Sequence, residues 1–205
     1  MFKFINQNSK NQKGFTLIEM IIILAILSGA VLVIGIFTLN VSSFQIFLGK
    51  SLAMDEEALQ TFKIMIPEIR SIGPSNLGNY PIASVSSSSF SFYSDIDNDS
   101  IFEQVRYFLD AGILKKGVTK PSGNPLVYNL ANEKINESVQ NIISSNIFTY
   151  YNGDYSGSSS PMAYPINVSS VRLVKVTLTI DDDLKSLPSP LISSVLINIR
   201  NLRGI

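Results

Sequence analysis

From Phe15 to Leu39 the chain is almost wholly apolar, and Glu19 is its only ionisable side chain. At 1.5 Å per residue, 25 such residues form a helix of about 37 Å, enough to cross a hydrocarbon core of about 30 Å with some tilt. Beyond it, Phe44, Leu48, Leu52, Leu59, Phe62, Ile66 and Ile69 recur at intervals of three, four or seven, the stripe of an amphipathic continuation. Asp55, Glu56 and Glu57 fall on or beside that stripe and mark a solvated section. Pro67 should bend or interrupt the last turns, and Gly73-Pro74 ends the helix.

The pattern then changes from helical to alternating. Phe90 and Phe92 alternate with serines, and Val105, Tyr107 and Leu109 alternate in "EQVRYFLD". Val174, Val176, Leu178 and Ile180 form a period-two run, and Val195, Ile197 and Ile199 form another. Each predicts a strand with one buried face. "DDLKSLPSP" between the last two runs suits the turn of an antiparallel pair. "YNGDYSGSSSPMAYPIN" reads as a loop. "NEKINESVQNIISSNIFTYY" is expected to be a polar bridge feeding a strand at 146–151. Tyr150, Tyr151 and Tyr155 are either core aromatics, the preferred reading, or an exposed patch for a partner. The fold class expected is therefore α+β: a long N-terminal helix followed by an antiparallel β-rich head. The divisions expected are 15–39 (membrane-length), 40–73 (amphipathic) and 74–205 (head).

Composition narrows the function. The 205 residues carry 16 basic and 16 acidic side chains, so no basic surplus points to nucleic acid. Neither cysteine nor histidine occurs. Disulfides, Cys-His and Ser-His-Asp machinery and zinc sites of the usual donor types are thereby excluded, and no catalytic residue can be assigned. One acidic segment invites a metal reading. "DIDNDSIFE", residues 95–103, places Asp95, Asp97 and Asp99 at the first three ligand positions of a calcium loop. Ser100 then stands where the tight-turn glycine belongs, and Arg106 where the bidentate glutamate belongs. A polar hairpin turn is the preferred reading, and no cofactor is expected. Asp181, Asp182 and Asp183 read as a strand end.

The residues before the apolar run matter as much as the run itself. The first fourteen include Lys3, Lys10 and Lys13 and no acid, which by the positive-inside rule places the N-terminus in the cytoplasm and the head outside. A secretory signal peptide cut near Ser28-Gly29-Ala30 would have a shorter apolar region than this one. A plain anchor leaves Glu19 unexplained, because a carboxylate at that depth costs about a kilocalorie or more and calls for a partner.

"KGFTLIEM" resembles the prepilin peptidase site of type IV pilins and type II secretion pseudopilins. In that family a short basic leader ends in glycine, phenylalanine follows, and the fifth mature residue is glutamate. The resemblance covers about residues 10–38 and implies a leader over 1–14, cleavage after Gly14, methylation of the Phe15 amine, and an assembly role for Glu19. It implies that the glutamate pairs with the N-terminal ammonium of a neighbouring subunit in a filament. It also implies as partners the prepilin peptidase, other pilin or pseudopilin subunits and an inner-membrane assembly platform. The cell membrane and then the filament are the implied locations. The early hairpin with an acidic turn and the late paired strands are similar, by pattern only, to J-type minor pseudopilins and W-type minor pilins. A minor subunit acting in filament initiation or assembly is the leading expectation. A major subunit is the runner-up, and an anchored exported protein of unrelated function is the reading from another class. The retained Glu19 argues against the tip subunit that lacks it in that family. The lack of proline in 15–39 departs from many major pilins, as the lack of cysteine does from many minor ones.

Overall fold

No proline interrupts the chain between Phe15 and Ile66, and a single helix, α1, spans Leu17–Arg70 in the computed structural model, which describes residues 14–181 and 190–202. The rest of the expected leader and the connection over 182–189, with Asp182 and Asp183, lie outside the described residues. The chain divides into two units, Met1–Ile46 and Phe47–Ile205, and α1 contributes to both. In the first unit the described side chains are exposed almost without exception.

In the second unit α1 buries Met54, Ala58, Thr61, Phe62, Met65 and Ile69, with Ile66 packed against them. The expected stripe is thus correct at its C-terminal end only. Phe44, Leu48, Leu52 and Leu59 are exposed. At 100° per residue, Leu52 and Leu59 lie more than a quarter-turn from the centre of the buried face, and the sequence reading chose bulk over phase. Small Ala58 and polar Thr61 occupy the true face, Thr61 donating to the Ser138 carbonyl at 3.3 Å. Nor does Pro67 interrupt the helix, which continues to Arg70. Pro67 and Lys63 are both exposed, so the Lys63 carbonyl that loses its backbone donor faces water. The Pro67 carbonyl accepts from Ser71 N (3.0 Å) and Ser71 Oγ (2.9 Å). Gly73 follows, where a Cβ would stand 2.6 Å from the Phe102 ring.

Among the described residues, eight strands complete the α+β layout. β1 (Ile82–Val85), β2 (Ser89–Ser94), β3 (Glu103–Asp110), β4 (Ile113–Thr119) and β5 (Lys134–Val139) form an antiparallel sheet in that spatial order. β6 (Phe148–Tyr151), β7 (Leu173–Ile180) and β8 (Leu191–Asn198) form a second antiparallel sheet. All four alternating runs are strands, and the last two pair as expected. The polar bridge is a correction: "KINESV" is edge strand β5, and the following strand is Phe148–Tyr151. β5 shows little apolar alternation because most of it is exposed. β4 was hidden by Lys115 and Lys116, whose charges pair with Asp110 and Glu68.

The core joins the two sheets and the second half of α1. Phe90 lies between Phe92, Phe148 and Tyr150, with ring centroids 4.9, 5.9 and 5.6 Å away. Tyr150 and Tyr151 are buried, and Tyr155 packs on Tyr151 at 4.4 Å, so the tyrosines are mainly core. Tyr107, also buried, donates to Glu68 at 2.7 Å, and Lys116 holds the other oxygen of that carboxylate. Burial, reinforced by the Glu68 charge, pushes the Tyr107 phenol far above its ordinary range.

Candidate functional site

The N-terminal motif is built on the first turn of α1. Gly14 and Phe15 precede the helix, exposed. A Cβ on Gly14 would meet nothing within 4 Å, and the residue does not sit in the left-handed region, so the described fold places no demand for glycine there. Thr16 is the residue before the helix and Glu19 its third. They form a reciprocal cap: Glu19 N donates to Thr16 Oγ1 at 3.3 Å, and Thr16 N approaches Glu19 Oε2 at 3.5 Å. "TLIE" carries the T-x-x-E spacing of a capping box, a local signature that the reading of Glu19 as an assembly residue passed over. The carboxylate also lies at the positive end of the helix dipole. Among the described residues no cation pairs with it.

From Leu17 to Leu39 the large apolar side chains are exposed: Leu17 is 79% exposed, Leu32 68% and Phe37 67%. An exposed run of that length is out of scale with the surface of a water-soluble domain. By length and composition α1 can cross a membrane.

The acidic segment is the turn between β2 and β3, as preferred. Asp95 folds its carboxylate onto its own loop, Oδ1 accepting from Asp99 N (3.1 Å) and Oδ2 from Ser100 N (3.0 Å). Asp99 Oδ1 accepts from Ile101 N at 2.8 Å. Ser100 adopts the left-handed backbone (φ 68°) that the missing glycine would favour. One carboxylate oxygen from each of Asp95, Asp97 and Asp99 lies within 4.8 Å of the others, a spacing able to hold a cation. The cation at hand is the Lys120 ammonium, 2.5 Å from Asp97 Oδ2 and 2.9 Å from Asp99 Oδ2. The Lys120 hydrogen bond holds the Asp99 carboxyl below its usual range, and these carboxylates push the Lys120 ammonium well above its own.

Two residues here escaped the sequence reading. Glu103 opens β3 and Lys120 follows the end of β4, each next to a member of the Gln104–Thr119 pair, and they form an ion pair at 3.2 Å. Glu103 lies on the face that buries Val105 and Tyr107, and an acid at such a position is the sign that could have revealed it. Arg106, at the twelfth loop position, instead pairs with Glu133 through two hydrogen bonds of 2.9 and 2.6 Å.

No curated protein matches this chain. Residues 9–28 match the family model described as the prokaryotic N-terminal methylation motif. That match spans Gly14, Phe15 and Glu19, and it supports a chain of the type IV pilin and pseudopilin kind, processed by a peptidase and assembled with other such subunits.

Proposed function

We propose that the chain is a minor pilin or pseudopilin, a structural subunit of a type IV pilus or type II secretion-type filament, acting in its initiation or assembly. The observation that carries this reading is the joint placement of Gly14, Phe15 and Glu19 at the head of an uncovered, membrane-length helix. A peptidase cuts after Gly14, a position where the fold itself makes no demand for glycine, and the freed Phe15 amine is methylated. Membrane anchoring holds the precursor, N-terminus inside, until the apolar half of α1 transfers from lipid to a bundle of like helices. There Glu19 accepts the N-terminal ammonium of a neighbour. Pairing in a low-dielectric bundle recovers much of the cost of placing the carboxylate there and favours the axial stagger that sets amine against acid. The acidic β2–β3 turn and the late β7–β8 pair favour the J-type or W-type minor subunits. The family's role is generally structural, and no enzymatic activity is proposed.

Mass spectrometry of the mature N-terminus tests the reading. The expected product begins with methylated Phe15 and has lost three lysines, so that the 16 basic side chains fall to 13 against 16 acidic ones. A mature chain that begins at Val31, or that keeps Met1, refutes it.

A further inference from the structure

We propose that the Lys120 ammonium is the resident cation of the acidic turn, and that removing it turns the same carboxylates into a divalent-cation site. The oxygens around the ammonium belong to three different side chains: Asp97 Oδ2 at 2.5 Å, Asp99 Oδ2 at 2.9 Å and Glu103 Oε1 at 3.2 Å. An ammonium has three N–H donors and no acceptor, and three acceptors surround this one. Calcium takes six to eight oxygens, and the neighbouring ones are committed to backbone. Both Asp95 oxygens, Asp99 Oδ1 and Glu103 Oε2 accept from the amides of Asp99, Ser100, Ile101 and Ile96.

Glu103 shows that the cluster requires a cation. It is fully buried, and its Oε1 has no hydrogen-bond donor of acceptable geometry, leaving the ion pair to Lys120 as its compensation. A buried carboxylate without a counter-charge is among the costliest groups a fold can hold. Asp97 and Asp99 are partly exposed and water could serve them, but it cannot serve Glu103. The lysine immediately follows β4, next to Thr119, whose register partner Gln104 is next to Glu103, so the sheet register delivers the charge without any ion from solution. With the ammonium gone, three convergent carboxylates and water remain, a weak site of the kind that binds calcium with Kd near 1 mM.

The test compares the full chain in a non-ionic detergent as wild type, Lys120→Gln, Lys120→Arg and the double variants K120Q/D97N and K120Q/E103Q. Thermal unfolding is followed in EDTA and at rising calcium chloride, with calorimetric titration of calcium. Wild type and K120R should show no calcium response. K120Q should melt lower in EDTA and regain about 4 °C at calcium tenfold above a Kd of about 1 mM. K120Q/D97N should lose that response. K120Q/E103Q removes the buried charge together with its partner, so it should melt near wild type without calcium, and this holds as a test even if K120Q does not fold. The proposal is overturned if wild type responds to calcium as K120Q should, if folded K120Q ignores calcium, or if K120Q/E103Q melts far below wild type.

Discussion

Replacing Glu19 by glutamine and by alanine separates two roles that the first turn of α1 combines. Glutamine keeps the oxygen that caps Thr16 but not the charge, and alanine keeps neither. The cap interaction that depends on this side chain, Thr16 N to Glu19 Oε2, is long at 3.5 Å, whereas the 3.3 Å bond uses the Glu19 backbone and survives both changes. Loss of the side-chain contact should cost the monomer at most about 0.5 kcal/mol. Helix content by circular dichroism should be unchanged, and membrane insertion should improve slightly with the carboxylate gone. In the filament the arithmetic differs. A neighbour's ammonium left unpaired in an apolar bundle costs about 3–5 kcal/mol. At 1.4 kcal/mol per tenfold, association should fall roughly 100- to 4,000-fold for both variants. Crosslinking and co-purification with partner subunits from membranes read this directly, after mass spectrometry has shown that the N-terminus is processed normally. A glutamine variant that assembles like wild type would mean that charge pairing is not what Glu19 contributes. If alanine fails while glutamine succeeds, the cap is the working interaction.

Gly14→Val should leave an uncut, membrane-bound precursor with an unchanged fold, detected by intact mass; normal cutting would show that the peptidase ignores that position. Gly117→Ala should destabilise the head by about 1–2 kcal/mol, because its Cβ would lie 2.0 Å from Glu133 Oε1 and displace a carboxylate bound twice to Arg106. In an E133A background the obstruction is gone, and the same substitution should become neutral or stabilising by about 0.5 kcal/mol, since strand glycines are intrinsically costly; equal losses in both backgrounds would refute the clash. Burial raises the Tyr107 and Tyr150 phenols well above the unfolded value near 10. The unfolded chain then gives up protons that the native chain keeps, so stability is full below about pH 10 and falls above it. Phenolate absorbance should therefore show part of the eight tyrosines titrating only as circular dichroism is lost. A single step near pH 10 with the fold intact would contradict this.

What could be read in advance follows from the range of the physics involved. The membrane-length run and the strands at 89–94, 103–110, 173–180 and 191–198 are local patterns, legible from continuous or alternating apolar positions. β4 was not legible because Lys116 and Gly117 are explained only by distant partners, Glu68 of α1 and Glu133, and β5 was not because most of it is exposed. The helix stripe failed for a related reason. Ala58 and Thr61 are on the buried face because the head packs there, while larger Leu52 and Leu59 are not. At the site, Gly14, Phe15 and Glu19 stand within six residues and could be recognised together. Glu103 and Lys120 are seventeen residues apart and become neighbours only through the β3–β4 register.

Two carboxylates in this chain face the same demand and meet it differently. Glu103 is buried by the fold, and the fold supplies Lys120 beside it, so its electrostatic account closes within one molecule. Glu19 stands near the start of a run suited to lipid, and within the described chain it finds only the amide of Thr16. A neutral amide at 3.5 Å is poor compensation for a charge removed from water. Under the proposed function, this unsatisfied residue and the exposed apolar side chains of the first half of α1 would have both needs met by the same event: packing against other copies of such a helix, each bringing an N-terminal ammonium. The acid and the exposed leucines around it are then one feature. The structure of the isolated chain leaves both incomplete, which supports the proposal that these residues serve assembly.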